Sequence, residues 1–269
     1  MERSYKTEAE LAYKNGKWLT ENICLPPYMS LGACGNIAVF AIKLLAGDLK
    51  GRTVADIGGG DGTILHYIGG NRARLALICD IALSPLKRCP FASIEGNALS
   101  LPIKDETVDI IITSDMLEHL RQEDIKPVMK EISRVVKRNG RVVIHTSCFG
   151  YYLRRLGIPF TGRNRLDRFD LEDGHKNRLT RDELIKTAYE CGLVIRREIH
   201  YKHLFQPLLR RLKSMIMKGR GNNASKLMIK EMNVVTKIVR YIFSLLSFFD
   251  IILFSNIPGG SIIAEFRKL

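Results

Sequence analysis

The stretch VADIGGGDGTIL, Val54 to Leu65, sets the strongest limit on how this chain can fold. A short apolar run carries Asp56 near its end, and Gly58, Gly59, Gly60 and Gly62 follow within five positions. Apolar spacing resumes in TILHYI and stops at Gly69-Gly70, the pattern of a helix closed by glycine. A buried strand thus turns at once into a helix, through backbone almost free of side chains. A tight turn needs a single glycine. Four of them let a ligand approach the main chain without meeting a Cβ.

The same alternation continues along the chain. LALICDI, FASIEGN, TVDIIITSD, RVVIHTSC, LVIRREIHY and SIIAEFRKL read as further strands. TVDIIITSD is nearly all apolar, as a strand covered on both faces must be. Helical spacing fills the gaps, including MLEHLRQEDIKPVMKEISRVVKRNG, with a break expected at Pro127. In TRDELIKTAYECG, Thr180 and Glu183 are placed as a capping box. The pattern predicts an α/β chain: a Rossmann-like, mostly parallel seven-stranded sheet with helices on both faces. Residues 1–50 read as an N-terminal helical cap broken at Leu25-Pro26-Pro27-Tyr28, and 51–202 as the core. Residues 203–254 read as a helical insert, and 255–269 as the last strand.

Charge is unevenly spread. The 269 residues carry a formal +14, and residues 151–250 hold 21 Lys/Arg against 10 Asp/Glu. The insert contains HLFQPLLRRLKSMIMKGR, which has one apolar helical face, and then the apolar YIFSLLSFFDIILF. That block falls short of the ~20 residues a membrane-spanning helix requires. Two readings stay open: a cap packed on the sheet, or a basic amphipathic pair resting on an anionic membrane surface. Nucleic acid fits less well, because few aromatics accompany the basic residues. Six cysteines form no CxxC pair and no metal-like spacing with histidine, so no metal is expected. The polar N-terminus lacks a signal-peptide core, so the expected location is cytoplasmic, with peripheral membrane contact under the second reading.

Asp56 decides which ligand the glycine turn suits. A pyrophosphate there would face a fixed negative charge, a repulsion on the order of a few kcal/mol at an effective dielectric near 20. A cation reverses the sign. S-adenosylmethionine carries a sulfonium and an ammonium beside its adenosine, and Asp80, ending the second strand, is placed for its ribose. A dinucleotide fingerprint also needs a third glycine where Thr63 stands.

The run Asp56 to Gly62 resembles the first motif of class I S-adenosylmethionine-dependent methyltransferases. Later segments resemble, in order, the small-molecule, ubiquinone- and sterol-type branch: Asp80; Glu95-Gly96-Asn97-Ala98 with LSLPIKDETVDIIITSDMLEHL; EISRVVKRNGRVVIHT; and DGHKNRLTRDELIKTAYECGLV. The resemblance implies cofactor contacts from Asp56, Gly58, Gly60, Gly62, Asp80, Asn97, Ala98 and Ser114. Two departures stand out. Asn97 replaces the branch's usual acid at the adenine loop, and Arg138-Asn139-Gly140 replaces a Pro-Gly-Gly turn, where Asn tolerates a left-handed backbone. LPPY at Leu25–Tyr28 resembles a nucleic-acid amino-methyltransferase motif but lacks its acid or amide and precedes the glycine turn. It reads as a helix boundary.

Methyl transfer from a sulfonium is mostly positioning, so catalytic residues are hard to read from sequence. His119 and His175 are the candidate catalytic residues, the first as a base, the second as a group closing over the substrate. His145 reads as structural, and Asp115 as a site-lining residue. The sequence reads as an enzyme, a methyltransferase acting on a small-molecule, lipid-linked or glycan-linked acceptor. Its rivals are a nicotinamide oxidoreductase on the same fold and a non-catalytic, membrane-associated cofactor-binding protein. Neither the acceptor atom nor the oligomeric state is written in the sequence.

Overall fold

The computed structural model describes residues 2–14, 33–149, 166, 168–201, 249 and 252–269. LPPY and residues 203–248 of the expected insert lie outside the described residues. Seven strands form one sheet: β1 (Thr53–Ile57), β2 (Leu75–Asp80), β3 (Ala92–Glu95), β4 (Val108–Ser114), β5 (Val136–Ser147), β6 (Leu193–Tyr201) and β7 (Ser261–Lys268). Their order is β3-β2-β1-β4-β5-β7-β6. The strands from β3 to β5 pair in parallel, whereas β7 runs antiparallel to both β5 and β6. The sheet is therefore mixed. β6 and β7 are successive in the chain and adjacent in the sheet, and without a crossover such neighbours run in opposite directions.

Helices cover both faces. Among the described residues they are α1 (Glu2–Lys14), α2 (Ala33–Ala46), α3 (Thr63–Ile68), α4 (Leu83–Leu86), α5 (Ile125–Val135), α6 (Arg168–Asp173) and α7 (Arg181–Glu190). Alternation along each strand sends successive side chains to opposite cores. Ile111, Val142, Ile144, Ile262 and Phe266 pack with Val128, Met129 and Ile132 of α5 and Leu184 of α7. Ile110, Ile112, Val143 and Ile263 pack with Ile42 and Leu45 of α2 and Leu65 of α3. β4 thus feeds both cores, which explains its unbroken apolar run.

Three local expectations change. The helix expected from Met116 begins only at Ile125, after 3-10 turns at Leu117–His119 and Gln122–Asp124. Pro127 lies in the first turn of α5, where a missing N–H has no carbonyl partner to lose, so it does not break the helix. β5 starts at Val136, and its pairing with β4 jumps from Val136↔Val108 to Arg141↔Ile110. Asn139 absorbs the irregularity with φ 59, the left-handed backbone its side chain tolerates. The capping box of α7 is present, with Thr180 and Glu183 each accepting the other's backbone N–H.

The order of strands positions the site. From β1 the chain builds outward to β2 and β3, then returns to the other side of β1 as β4. The crevice at the carboxyl ends of β1 and β4 is the switch point where ligands bind in open α/β sheets.

Candidate functional site

The glycine turn leaves β1 at that crevice. Gly58, Gly60 and Gly62 have φ of 75, 56 and 78, a region costly for any side chain. A Cβ on Gly58 would lie 2.6 Å from Met116 Cγ, in the loop after β4. A Cβ on Gly60 would meet the Tyr13 hydroxyl. Both glycines are required by close approach as well as by backbone angle. Thr63 occupies the third fingerprint position because its hydroxyl and its N–H both donate to Asp61 Oδ1, at 2.7 and 3.2 Å.

Asp56 lies directly beneath this turn, with its Cγ 2.6 Å from where a Gly59 Cβ would stand. It is buried, and neither carboxylate oxygen accepts a hydrogen bond among the described residues. Burial, then Asp80 and Asp61, push its carboxyl up to about 7. Two unsatisfied buried acceptors are costly unless a ligand supplies donors or positive charge. Asp80 at the end of β2 is also buried. Its Oδ2 accepts from Gly60 N–H at 2.9 Å and its Oδ1 from Ala82 N–H at 2.8 Å. Burial raises it to about 6, opposed by those amides.

Asn97 and Ala98 follow β3. Asn97 Oδ1 accepts from Leu99 N–H at 3.0 Å, an arrangement that turns the chain back to Ser100. That bond uses one of the amide oxygen's lone pairs. Ala98 packs half-buried against the larger core. Ser114 ends β4, and Asp115 after it adopts φ 52, a strained angle for a residue with a side chain.

His119 and His175, 56 positions apart, are brought together. Their rings meet edge to face with centroids 5.0 Å apart. His119 Nδ1 is 3.2 Å from the Gly174 carbonyl oxygen. That oxygen only accepts, so a neutral His119 carries its proton on Nδ1. Burial pushes His119 below the usual histidine value, against the opposing pull of Glu118, and His175 adds to the lowering. The loop that carries His175 is fixed by its neighbours. Asn177 Nδ2 donates to Leu117 and Leu120 carbonyls at 2.7 Å each. His175 Nδ1 and Arg178 Nη2 lie 3.2 and 3.1 Å from Asp170 Oδ1.

Sequence reasoning missed Tyr13. It sits on α1, 43 residues before Asp56, with no motif to mark it. The helix buries Tyr5, Ala9 and Ala12 on one face and is tied down at four points. Glu10 accepts from Leu83 N–H, Lys6 pairs with Glu95, Glu8 with Lys176, and Tyr5 donates to Asp124 at 2.6 Å. This fixes the Tyr13 phenol over Gly60. Burial, then Asp80, Asp61 and Asp56, drive its ionisation well above the usual tyrosine range. The i, i+4, i+7 spacing of Tyr5, Ala9 and Ala12 was the one available signal that α1 packs on something. Among the described residues no cluster of three or more His, Cys, Asp or Glu could hold a metal ion.

Residues 55–144 match a protein family described as a methyltransferase domain. Demethylmenaquinone methyltransferase of Alkalihalophilus pseudofirmus is 29% identical over 111 residues, which cover 36% of this chain. The chain spans 46% of that relative's length, somewhat under half. Geranyl diphosphate C-methyltransferase of Streptomyces coelicolor, solved with Mg2+, geranyl diphosphate and S-adenosyl-L-homocysteine, superposes with a TM-score of 0.57 at 13% identity. The match covers 87% of this chain and 79% of that one. An S-adenosylmethionine-dependent methyltransferase from Mesorhizobium loti gives 0.55 at 14% identity, over 88% of this chain and all of its own.

Proposed function

We propose, on the premise that this chain carries a class I S-adenosylmethionine-dependent methyltransferase domain, that it transfers the donor's methyl group to a small-molecule acceptor. The observation that carries the reading is Asp56, a buried carboxylate with two unsatisfied oxygens under a left-handed glycine turn. That arrangement repels a phosphate and fits a cationic adenosine derivative.

Several residues fit the cofactor. Asp56 would hold the amino-acid end, with its charge set against the ligand's positive groups. Gly58, Gly60 and Gly62 open the backbone, and Asp80 would accept from the ribose hydroxyls. Asn97 and Ala98 would border the adenine, and Ser114 the reacting end. Bound there, S-adenosylmethionine supplies an activated methyl group. The chain's own task is to hold an acceptor in line and keep water out. His119 is the residue we assign to the acceptor's side: its ring packs against the acceptor and holds the lone pair in line with the methyl group. His175 packs against His119 and closes that side.

We read residues 1–50 as the cap over this site and 203–254 as the segment that meets the acceptor. A lipid-linked acceptor drawn from an anionic surface is favoured by the basic charge of 151–250 and by Phe249, Ile252 and Leu253, all more than half exposed. No helix among the described residues is long and apolar enough to cross a membrane. Co-sedimentation with anionic vesicles tests this part. Protein that stays in the supernatant at low salt ends the surface reading.

Calorimetry tests the central reading. S-adenosylmethionine is expected to bind and NADH to be ignored. NADH binding with no response to S-adenosylmethionine would overturn it. His119→Ala is expected to leave cofactor affinity intact while slowing methyl transfer about a hundredfold.

A further inference from the structure

A chain of buried polar side chains leads away from the methyl-transfer crevice, and the reading above gives it no task. It begins at Ser114, the last residue of β4. Ser114 Oγ lies 2.7 Å from His145 Nδ1 on the neighbouring strand β5. His145 Nε2 lies 2.6 Å from the Tyr201 hydroxyl at the end of β6. His145 and Tyr201 are 2% and 1% exposed, so water does not substitute for these bonds. The two rings are stacked with centroids 5.7 Å apart. Asp115 closes the crevice end. Its Oδ2 accepts from Ser114 Oγ at 3.2 Å and lies 3.3 Å from His145 Nδ1. Asp115 itself is more than half exposed and is held at a strained left-handed φ of 52.

A histidine that only filled space here would face apolar neighbours. Val143 and Ile263, on the same face, belong to the apolar core. Instead both ring nitrogens are engaged, one by a group at the mouth of the site and one by a phenol deep in the sheet. Among the described residues the titratable groups facing the imidazole are Asp115, just after β4, and Tyr201 from β6. Glu118, bonded to Thr146 and Ser147, and His200, paired across the sheet with Ile262, belong to the opposite face.

We propose that His145 stores the proton released during methyl transfer, and that the acceptor is therefore protic, a hydroxyl or an N–H amine. The proposal rests on the methyl-transfer reading. The acceptor's lone pair forms the new bond to carbon, and the carbon–sulfur bond breaks with its electron pair going to sulfur. The acceptor's X–H electron pair stays with X. Its proton passes to Ser114 Oγ as the serine's own proton passes to His145 Nδ1. The imidazolium that results donates from Nδ1 toward Ser114 and Asp115 and from Nε2 to the Tyr201 oxygen. The single Ser114 proton must turn from Asp115 Oδ2 to His145 Nδ1 for the transfer, and afterwards the Asp115 carboxylate, 3.3 Å from Nδ1, balances the new charge. Ser114 is the group in contact with the acceptor. His145, Asp115 and Tyr201 are positioning residues that act through it.

The full chain labelled with 15N-histidine tests this directly. Long-range nitrogen–proton spectra are expected to show neutral His145 protonated on Nε2, with Nδ1 as the bare acceptor. Acidification should add a second proton reversibly while the chain stays folded. A ring fixed with its proton on Nδ1, or one that never gains a second proton in the folded chain, overturns the proposal. Products made from cell extract with labelled donor give a second arm. A product with the new methyl on oxygen or nitrogen and no new fixed charge supports a protic acceptor, and a methyl on carbon, or a quaternary ammonium or sulfonium product, refutes it. Tyr201→Phe, which keeps the ring and removes one hydroxyl, is expected to slow turnover several-fold. It should also shift the acidic limb of the rate profile. An unchanged profile counts against the relay. Calorimetry with S-adenosylmethionine on the same samples tests the underlying reading separately, because cofactor binding can fail while the histidine behaves as described.

Discussion

Cofactor affinity should be set by the protonation of Asp56. Burial, then Asp80 and Asp61, raise it from the ordinary 3.8 to about 7, and burial raises Asp80 to about 6. A cationic ligand needs both ionised. On going from pH 7 to pH 6 the ionised fraction of Asp56 falls from about a half to about a tenth, and that of Asp80 from about nine-tenths to about a half. The product is a weakening of about tenfold over that unit. The ligand's own ammonium stays protonated there, since an α-amino group titrates near ~8. The assay is calorimetry with S-adenosylmethionine at the two pH values, repeated in buffers of different ionisation enthalpy to count protons. Binding at pH 6.5 should release protons. Asp56→Asn should bind more weakly throughout and flatten the slope to about twofold, the share left to Asp80. Stability moves the other way. Because the folded-state value of Asp56 lies above its unfolded value, the free chain holds a proton that the unfolded chain sheds. Its contribution is complete below about pH 4 and is lost as pH rises through about 7. A shift of about three units corresponds to about 4 kcal/mol. Asp56→Asn should therefore raise the melting temperature of the free protein at pH 8 while weakening its ligand. Affinity that stays flat between pH 7 and 6, or proton uptake on binding, would refute the reasoning.

Other outcomes follow from single contacts. Asp80→Ala removes the acceptor for the Gly60 and Ala82 amides as well as the ribose contacts, and should weaken cofactor binding by about 1.5–3 kcal/mol in calorimetry. Gly60→Ala forces a side chain into a left-handed backbone and against the Tyr13 hydroxyl. A loss of stability of about 1–2 kcal/mol in urea and at least a tenfold weaker cofactor are expected, and Tyr13→Ala should restore only part of it. Thr180→Ala removes one half of the α7 capping box and should cost about 1 kcal/mol in urea unfolding with cofactor affinity untouched.

The sequence by itself determined what short-range physics controls. Four glycines in five positions can only be a turn that leaves the backbone open, and three of them adopt left-handed angles. The largely apolar β4 reads as a strand covered on both faces, Thr180 and Glu183 as a helix cap, and Asn139 took the left-handed turn. Each of these depends on residues a few positions apart. Pairing direction depends on which strands become neighbours, so the reversal of β7 was decided only in the sheet. The pocket's chemistry was decided there too. Burial aside, Asp80 raises the proton affinity of Asp56 only because β1 and β2 lie side by side, and Asp61 adds to it from the glycine turn. Tyr13 reaches Gly60 because α1 is tied to four distant partners. His119 meets His175, and Ser114, His145 and Tyr201 join across the sheet, through contacts that span 31 to 56 residues. Proximity across such separations is a property of packing, and no local pattern of side chains encodes it.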